Sequence, residues 1–272
     1  MSCKKIAALL LALAMIFALA ACGGTKTEEP ASAGESGLPA QVQAIKDRGT
    51  LKIGCKEDVP NFGELDTATG TYKGLEIEIA KLLAKEIFGD SSKVSFQGVT
   101  AKTRGPLLDN SDVDMIIATF TITEERKLTY NFSDPYYQDA VGMLVKKDGG
   151  IASIADCDGK VIGVAQSATS RDALQAAADE AGVSVSFSEF GTYPEIQAAL
   201  FAGNVDVFSV DRSILRGYLT DDLMLTDDKF SPQDYGVATK FENKELADWV
   251  NEKINGWLAD GTIAQLVADF NL

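Results

Sequence analysis

The sequence predicts an α/β fold of two lobes, each a mainly parallel sheet flanked by helices. Short apolar segments alternate with helical segments along the 272 residues, which is the rhythm of βαβ units. This rhythm occurs twice, and a short internal repeat relates the two occurrences. Ligands bind at the carboxyl ends of the strands in such sheets, so two lobes of this kind can share one site.

The first 40 residues precede this fold. Residues 1–21 combine two early lysines with a long apolar run, the pattern of a signal peptide. The run ends in LAAC, which resembles a lipoprotein processing box and makes Cys22 the expected lipidation site, with an uncleaved anchor as the alternative. Residues 22–40 are rich in Gly, Ser, Thr, Glu and Pro, and we expect a flexible tether there. The protein is therefore expected outside the cytoplasm, facing the periplasm or the cell surface and anchored to the cell membrane.

The first lobe is predicted from residues 41–145 and 235–272. Apolar residues at helical spacing over 74–88 predict an amphipathic helix, which Gly89 ends. The other elements of its first segment are strands over 51–55, 93–99, 115–120 and 140–146 and a short helix near 106–110. After the second lobe the chain returns with a strand over 235–240 and helices over 243–259 and 262–270.

The second lobe is predicted from residues 146–234, with strands over 160–166, 183–190 and 205–211 and helices over 170–181 and 194–202. LDNSDVD, which ends at Asp114, and LFAGNVD, which ends at Asp206, form the internal repeat. The residue five positions after Asp114 is Thr119, and the residue five after Asp206 is Asp211. We expect both at the carboxyl edge of a sheet, facing a shared cleft, with a hinge near 146–147 and 231–233.

The stretch MIIATFTITEERKLTYNFSDPYY holds the strongest candidate site. Its strand turns polar at Thr119 and Thr121, and Arg126 lies one helical turn beyond Thr123, a residue type that opens helices. A guanidinium with neighbouring neutral donors can hold both oxygens of a carboxylate. A surface arginine next to strand threonines gives the same spacing, and the spacing alone does not choose between the two interpretations.

The segments TITEER and NFSDPYY resemble the signature of extracytoplasmic solute-binding proteins of polar amino acid ABC transporters, family 3 type. The resemblance extends from about residue 51 to residue 272. It implies a periplasmic-binding-protein-like type II fold with a two-segment hinge. It also implies a monomeric receptor that captures a free amino acid and delivers it to a permease. By this resemblance, Arg126 of this chain would bind the ligand's α-carboxylate and Asp211 its α-ammonium.

The resemblance also assigns Arg104 and Lys56 to positions where members that bind acidic amino acids carry cations. A dicarboxylate needs more than one cationic partner, so these residues favour glutamate or aspartate. Arg104 could instead brace the following helix, and Lys56 could pair with Glu57 or Asp58. Glutamine or cystine is then the alternative ligand. The other expected ligand contacts are Phe62, Thr169, Ser170, Tyr193 and Tyr235.

Composition argues against several other functions. The formal net charge of −15 disfavours nucleic acid as a partner. The absence of histidine removes the commonest general base and most zinc geometries, and we expect no metal and no cofactor. A secreted dehydratase or a sensor domain on the same fold is the remaining alternative. Cys55 and Cys157 are expected as separate apolar fillers.

Overall fold

The structure is a computed structural model that describes residues 37–272. The predicted signal peptide, Cys22 and most of the predicted tether lie outside the described residues. Within residues 37–272, no helix is both long enough and apolar enough to cross a membrane.

Strands and helices alternate over much of the described residues, as the sequence predicts, but runs of strands with no α-helix between them occur at 51–73, 130–165 and 223–240. In chain order the strands are β1 (Leu51–Cys55), β2 (Asp58–Val59), β3 (Gly63–Asp66), β4 (Thr71–Lys73), β5 (Val94–Gly98), β6 (Met115–Ile117), β7 (Tyr130–Phe132), β8 (Tyr137–Lys146), β9 (Lys160–Ala165), β10 (Val185–Phe190), β11 (Val207–Asp211), β12 (Leu223–Leu225), β13 (Phe230–Tyr235) and β14 (Ala238–Lys240). The α-helices are α1 (Ala40–Arg48), α2 (Leu75–Phe88), α3 (Arg104–Asp109), α4 (Glu124–Lys127), α5 (Ser170–Ala181), α6 (Tyr193–Ala202), α7 (Arg212–Arg216), α8 (Lys244–Ala259) and α9 (Thr262–Asp269). A 3₁₀ turn spans Ile154–Cys157.

Two mixed sheets carry the fold. The first has the order β5-β1-β6-β14-β7, in which β5, β1 and β6 are parallel and β14 pairs antiparallel with both β6 and β7. The second has the order β10-β9-β11-β8-β12, with β10, β9 and β11 parallel and β8 antiparallel to β11, β12 and β13. Each sheet is thus a parallel three-stranded core extended by antiparallel strands, and β2, β3 and β4 form a small antiparallel sheet.

Two predicted strands lie elsewhere than the sequence suggests. Residues 140–146 belong to β8 and therefore to the second sheet, not to the first lobe's sheet. The predicted strand 235–240 is two strands, since β13 ends at Tyr235 in the second sheet and β14 begins at Ala238 in the first. By sheet membership, the chain crosses between the sheets at 133–136 and at 236–237. The apolar run of β8 is buried without alternation, so its pattern carries no information about its partner.

The internal repeat has the same hydrogen bonds in both sheets. The amide of Asp114 donates to the carbonyl of Lys52 at 2.9 Å, and the amide of Lys52 donates back to Oδ2 of Asp114 at 2.8 Å. Asp206 exchanges the same pair of bonds with Val161, at 2.8 and 2.9 Å. Each aspartate therefore fixes the entry of a core strand against its parallel neighbour in the same way.

The local predictions explain why several elements form. Helix α2 buries its apolar face in the core and ends at Gly89, whose φ of 71° is the left-handed conformation that glycine tolerates. Helix α5 matches its predicted bounds and ends at Gly182 in the same way. Cys55 and Cys157 are both buried and free, as expected of separate fillers.

Candidate functional site

The loop after β6 presents Arg126. Thr123 caps helix α4 by accepting a hydrogen bond from the amide of Arg126 at 3.1 Å, which fixes where this side chain starts. Its Nη1 donates to the carbonyl of Thr121 at 2.8 Å, and its Nη2 donates to the carbonyl of Ser167, after β9 of the second sheet, at 3.3 Å. Burial, reinforced by the nearby Arg104, lowers the pKa of Arg126 to about 9. The guanidinium stays cationic at neutral pH and faces both sheets.

Arg104 opens helix α3 and is only 4% exposed. Its Nη1 donates to the carbonyls of Ala118 and Thr119, at 2.7 and 3.1 Å, so it braces the loop after β6 rather than its own helix. Its Nε is buried without a hydrogen-bond partner among the described residues. Phe120, which is not among the predicted site residues, lies under both guanidinium groups, with its ring centre 3.9 Å from Cζ of Arg104 and 4.8 Å from Cζ of Arg126.

Thr119 lies in the left-handed region, with φ of 44°, which is unusual for a β-branched residue. Its amide donates to Oε1 of Glu76 at 2.6 Å, and the hydroxyl of Tyr136 donates to the same oxygen at 2.6 Å. Oε2 of Glu76 is buried without a partner in the described residues, and burial raises the pKa of this carboxyl to about 7.

Glu76 is absent from the predicted site, although the sequence carries a signal for it. On helix α2 it shares a face with Ile79, Ala80 and Leu83, all of which are fully buried. A charged residue at such a position needs buried partners or a function. Its partners are the amide of Thr119 and the hydroxyl of Tyr136.

Lys56 is 2% exposed and makes an ion pair with Asp58, with Nζ 3.1 Å from Oδ1. The pairing with Asp58 that the sequence offers as an alternative is therefore present. Nζ also lies 4.5 Å from the ring centre of Tyr193, which opens helix α6 of the second lobe. The amide of Tyr193 donates to Oδ2 of Asp58 at 3.3 Å, and Tyr218 donates its hydroxyl proton to the carbonyl of Asp58. This corner ties the segment after β1 to the second lobe.

Asp211 ends β11 and is 5% exposed. It accepts a hydrogen bond from the hydroxyl of Tyr235, while burial raises the pKa of its carboxyl to about 7. Phe62 packs edge-on against Tyr235, with ring centres 5.8 Å apart, and against Tyr137 at 5.1 Å. The predicted residues Asp211, Tyr235 and Phe62 thus form one contiguous group.

Gln233, on β13, joins two predicted site residues and is not itself predicted. Thr121 and Thr169 donate their hydroxyl protons to its Oε1, at 2.7 and 2.8 Å. Its Nε2 donates to the carbonyl of Ser231 at 3.0 Å, which fixes the orientation of the amide. Ser170, next to Thr169, is 1% exposed, and its hydroxyl oxygen is buried without a partner within residues 37–272.

A cavity of about 1010 Å³ opens beside this group. Arg126, Thr169, Ser167 and Ser231 are among the residues that line it, so it reaches the point where the two sheets approach each other. The more deeply buried Arg104, Lys56 and Asp211 do not line it. The structure therefore brings the predicted residues together, with Arg126 and Thr169 nearest to solvent.

We define the charge cluster as six of the charged residues of this region. They are Lys56, Arg104, Arg126, Asp58, Glu76 and Asp211. Asp139, which accepts a hydrogen bond from the amide of Ser213 and acts electrostatically on Asp211, lies outside this set. The cluster contains three cations and three carboxylates, and it cancels when all six groups are ionised. Such a site can hold a zwitterion, because each end of the ligand finds an opposite charge.

A family model described as "Bacterial extracellular solute-binding proteins, family 3" matches residues 51–271. The glutamine-binding protein GlnH of an ABC transporter from Bacillus subtilis is 37% identical over 95% of this chain and 94% of its own length. A glutamine-binding protein from Geobacillus stearothermophilus is 39% identical over 86% of this chain and 91% of its own length. Among solved structures, the receptor for L-cysteine of Neisseria gonorrhoeae matches 84% of this chain and 92% of its own, with a TM-score of 0.77 and 28% identity.

Proposed function

Because the chain belongs to family 3 of the bacterial extracellular solute-binding proteins, we propose that it captures glutamine between its two sheets for an ABC transporter permease. Amino acid binding and delivery to a permease are properties of this family. The choice of glutamine, the site residues and their roles are parts of the proposal.

One observation carries the proposal: a cation and a carboxylate that act on each other electrostatically lie where the two sheets approach each other. Arg126 follows the first sheet and contacts the second, and Asp211 ends a strand of the second. Each shifts the pKa of the other, since Asp211 raises the pKa of Arg126 and Arg126 lowers that of Asp211. In the proposed complex Arg126 binds the α-carboxylate and Asp211 the α-ammonium, so that the ligand holds the lobes together.

The balance of the charge cluster supports a neutral side chain in the ligand. The expectation of glutamate or aspartate counts the cations Lys56, Arg104 and Arg126 alone. The structure adds a buried carboxylate, Glu76, and pairs Lys56 with Asp58. A dicarboxylate would bring one negative charge more than the site can neutralise, and such a charge is costly when buried. The two relatives with the highest identity given above are both named as glutamine-binding proteins.

Glutamate is the second candidate, and Arg104 is the observation in its favour. Its Nε is buried with no acceptor among the described residues, and a ligand carboxylate would supply one. Under this alternative, Arg104→Ala weakens glutamate binding far more than glutamine binding. Equal losses for both ligands would remove this argument for glutamate.

Isothermal titration of the purified protein tests the proposal, after unfolding and refolding to remove carried-over ligand. We expect glutamine to bind more tightly than glutamate, aspartate or cystine at pH 8. Tighter binding of glutamate or aspartate would overturn the choice of glutamine as the ligand, while the proposal that the protein captures an amino acid would stand. No binding of any of the twenty amino acids would overturn the transport role and favour the dehydratase or sensor alternative.

We also propose that Cys22 carries a lipid and that the protein acts as a monomer. Family membership supports a location outside the cytoplasm. The LAAC ending supports the anchor, since a lipid on Cys22 would hold the chain at the membrane after the signal peptide is removed. Cys22→Ala should move the protein from the membrane fraction to the soluble fraction, and an unchanged distribution would contradict the anchor.

A further inference from the structure

We propose that Glu76 decides between a neutral and an acidic ligand side chain: when ionised it favours glutamine, and when protonated it favours glutamate. This inference rests on the proposed function, because it concerns the side-chain end of the same ligand. Glu76 acts here as a positioning residue, through its charge and through Thr119.

The geometry places Glu76 behind the loop that carries the proposed ligand contacts. Its Oε1 holds the amide of Thr119 at 2.6 Å, and Arg104 holds the carbonyl of the same residue at 3.1 Å. The carboxylate of Glu76 and the guanidinium of Arg104 therefore hydrogen-bond to the amide and the carbonyl of Thr119, whose backbone has a positive φ. The negative charge of Glu76 offsets the charge of Arg104, the cation that would otherwise be free for a side-chain carboxylate.

The surroundings of Glu76 leave one of its oxygens unused. Oε2 is buried and has no hydrogen-bond partner within residues 37–272, so a proton can reside there without breaking a contact. Burial raises the pKa of this carboxyl to about 7, which lies in the range where a cell-surface or periplasmic environment can change its charge. The titratable and charged groups that act on it are Lys56 and Cys55 at the end of β1, Arg104 of α3, Tyr136 before β8 and Tyr193 of α6.

Protonation of Glu76 changes the count of the charge cluster. With Glu76 ionised, three cations face three carboxylates, and a neutral side chain completes the site at no net charge. With Glu76 protonated, the cluster gains one net positive charge, which a ligand side-chain carboxylate can neutralise. The side chain of free glutamate stays ionised above pH 6, so the change belongs to the protein.

The test is the ratio of glutamate affinity to glutamine affinity, measured by isothermal titration at pH 8 and pH 6. Both ligands carry the same α-carboxylate and α-ammonium, so the action of Asp211 on these groups cancels in the ratio. Protonation of Asp211 also adds one positive charge to the cluster, and the part of the pH dependence that persists in Glu76→Gln measures this contribution. For the unaltered protein we expect the ratio to rise several-fold from pH 8 to pH 6. For Glu76→Gln we expect a ratio about tenfold higher at pH 8, the size expected for one unit charge at about 10 Å and an effective dielectric constant of about 20, and a smaller rise from pH 8 to pH 6 than in the unaltered protein.

Glutamine keeps an oxygen for Thr119 and Tyr136 and removes only the charge, so Glu76→Gln is the conservative variant. Glu78→Gln is the matched control, because Glu78 lies in the same turn of α2 and is half-buried, where it pairs with Lys81. An unchanged ratio in Glu76→Gln, or an equal change in Glu78→Gln, would overturn the inference. If Glu76→Gln does not fold, a flat pH profile of the unaltered protein overturns it instead. If the unaltered protein binds neither ligand, the proposed function fails first.

Discussion

Thr121 and Thr169 donate their hydroxyl protons to one and the same oxygen, Oε1 of Gln233. Thr121 follows the first sheet and Thr169 precedes helix α5 of the second lobe, so this oxygen ties the two lobes together. A hydroxyl has a single proton, so in this arrangement neither threonine can donate to a ligand carboxylate. The expectation that Thr121 helps to hold the carboxylate therefore requires Gln233 to release it.

Replacing Gln233 tests the strength of this junction. Gln233→Leu leaves the buried hydroxyl of Thr121 and the partly buried hydroxyl of Thr169 without this acceptor, and we expect the free energy of unfolding to fall by about 1–3 kcal/mol. Urea denaturation measures the change. Gln138→Leu is the control, because Gln138 is exposed on the neighbouring strand β8 and makes a single hydrogen bond, to Asp234. Equal effects of the two substitutions would contradict a special role for Gln233.

Arg126→Ala should weaken the binding of every amino acid by at least about 100-fold, because a charge-assisted contact to a part common to all of them is lost. Isothermal titration with glutamine and glutamate checks both ligands. Arg171→Ala provides the comparison, since Arg171 is exposed on helix α5, where it lies 3.7 Å from Glu189. If Arg126→Ala spares either ligand, the α-carboxylate is held elsewhere.

Thr119→Gly should change the free energy of unfolding by less than about 1 kcal/mol. Glycine relieves the strain of a positive φ and so offsets the lost burial of the threonine methyl group. Thr121→Gly should cost more than about 1 kcal/mol, because Thr121 makes a buried hydrogen bond to Gln233 and has no positive φ to relieve. The two variants are compared by urea denaturation, and a larger loss in Thr119→Gly would mean that its side chain stabilises the loop.

The buried carboxyl of Asp211 makes stability depend on pH. Burial raises its pKa from 3.8 to about 7, so the native protein holds a proton that the unfolded chain releases. This stabilisation is complete below about pH 4 and is lost as the pH rises through about 7. Asp211→Asn should therefore remove a downward slope of up to about 1.4 kcal/mol per pH unit between these values.

Urea denaturation at pH 5 and pH 8 measures that slope in the ligand-free protein. Glu76, whose pKa is also raised to about 7, contributes in the same direction and remains in the variant. Asp221→Asn, an exposed loop substitution, should leave the slope as it is. A variant with Asn at position 211 and an unaltered slope would show that Asp211 is ionised throughout.

The sequence predicts the elements well where local signals define them. Helix α5 has its predicted bounds, because a glycine ends it and its apolar spacing is regular. Thr123 opens α4 as predicted, since capping depends on residues three positions apart. The sequence predicts β8 in the first sheet although it belongs to the second, because a fully apolar run can be buried in either sheet.

The candidate site is predicted in part for the same reason. Arg104, Arg126 and Asp211 lie close enough in the structure to act on one another electrostatically, and the ligand-binding roles that the family resemblance gives them stay predictions. Gln233 is missed because its partners Thr121 and Thr169 are 112 and 64 positions away, beyond the reach of any local pattern. The sequence also does not show that the carboxylate of Glu76 lies near the cations Lys56 and Arg104, because these residues come together only in the folded chain.

Asp114 and Asp206 make the same pair of hydrogen bonds, to Lys52 and to Val161, so the backbone geometry at the start of these two strands is equivalent in the two sheets. An amino acid, in contrast, carries a negative α-carboxylate and a positive α-ammonium, which need different partners. The orientation of a bound amino acid must therefore come from side chains at equivalent positions. Five residues after each aspartate these side chains differ: Thr119 is uncharged and its carbonyl accepts a hydrogen bond from Arg104, whereas Asp211 carries a carboxyl group. The equivalent positions thus differ in polarity, so a ligand bound as proposed between Arg126 and Asp211 enters in one orientation only.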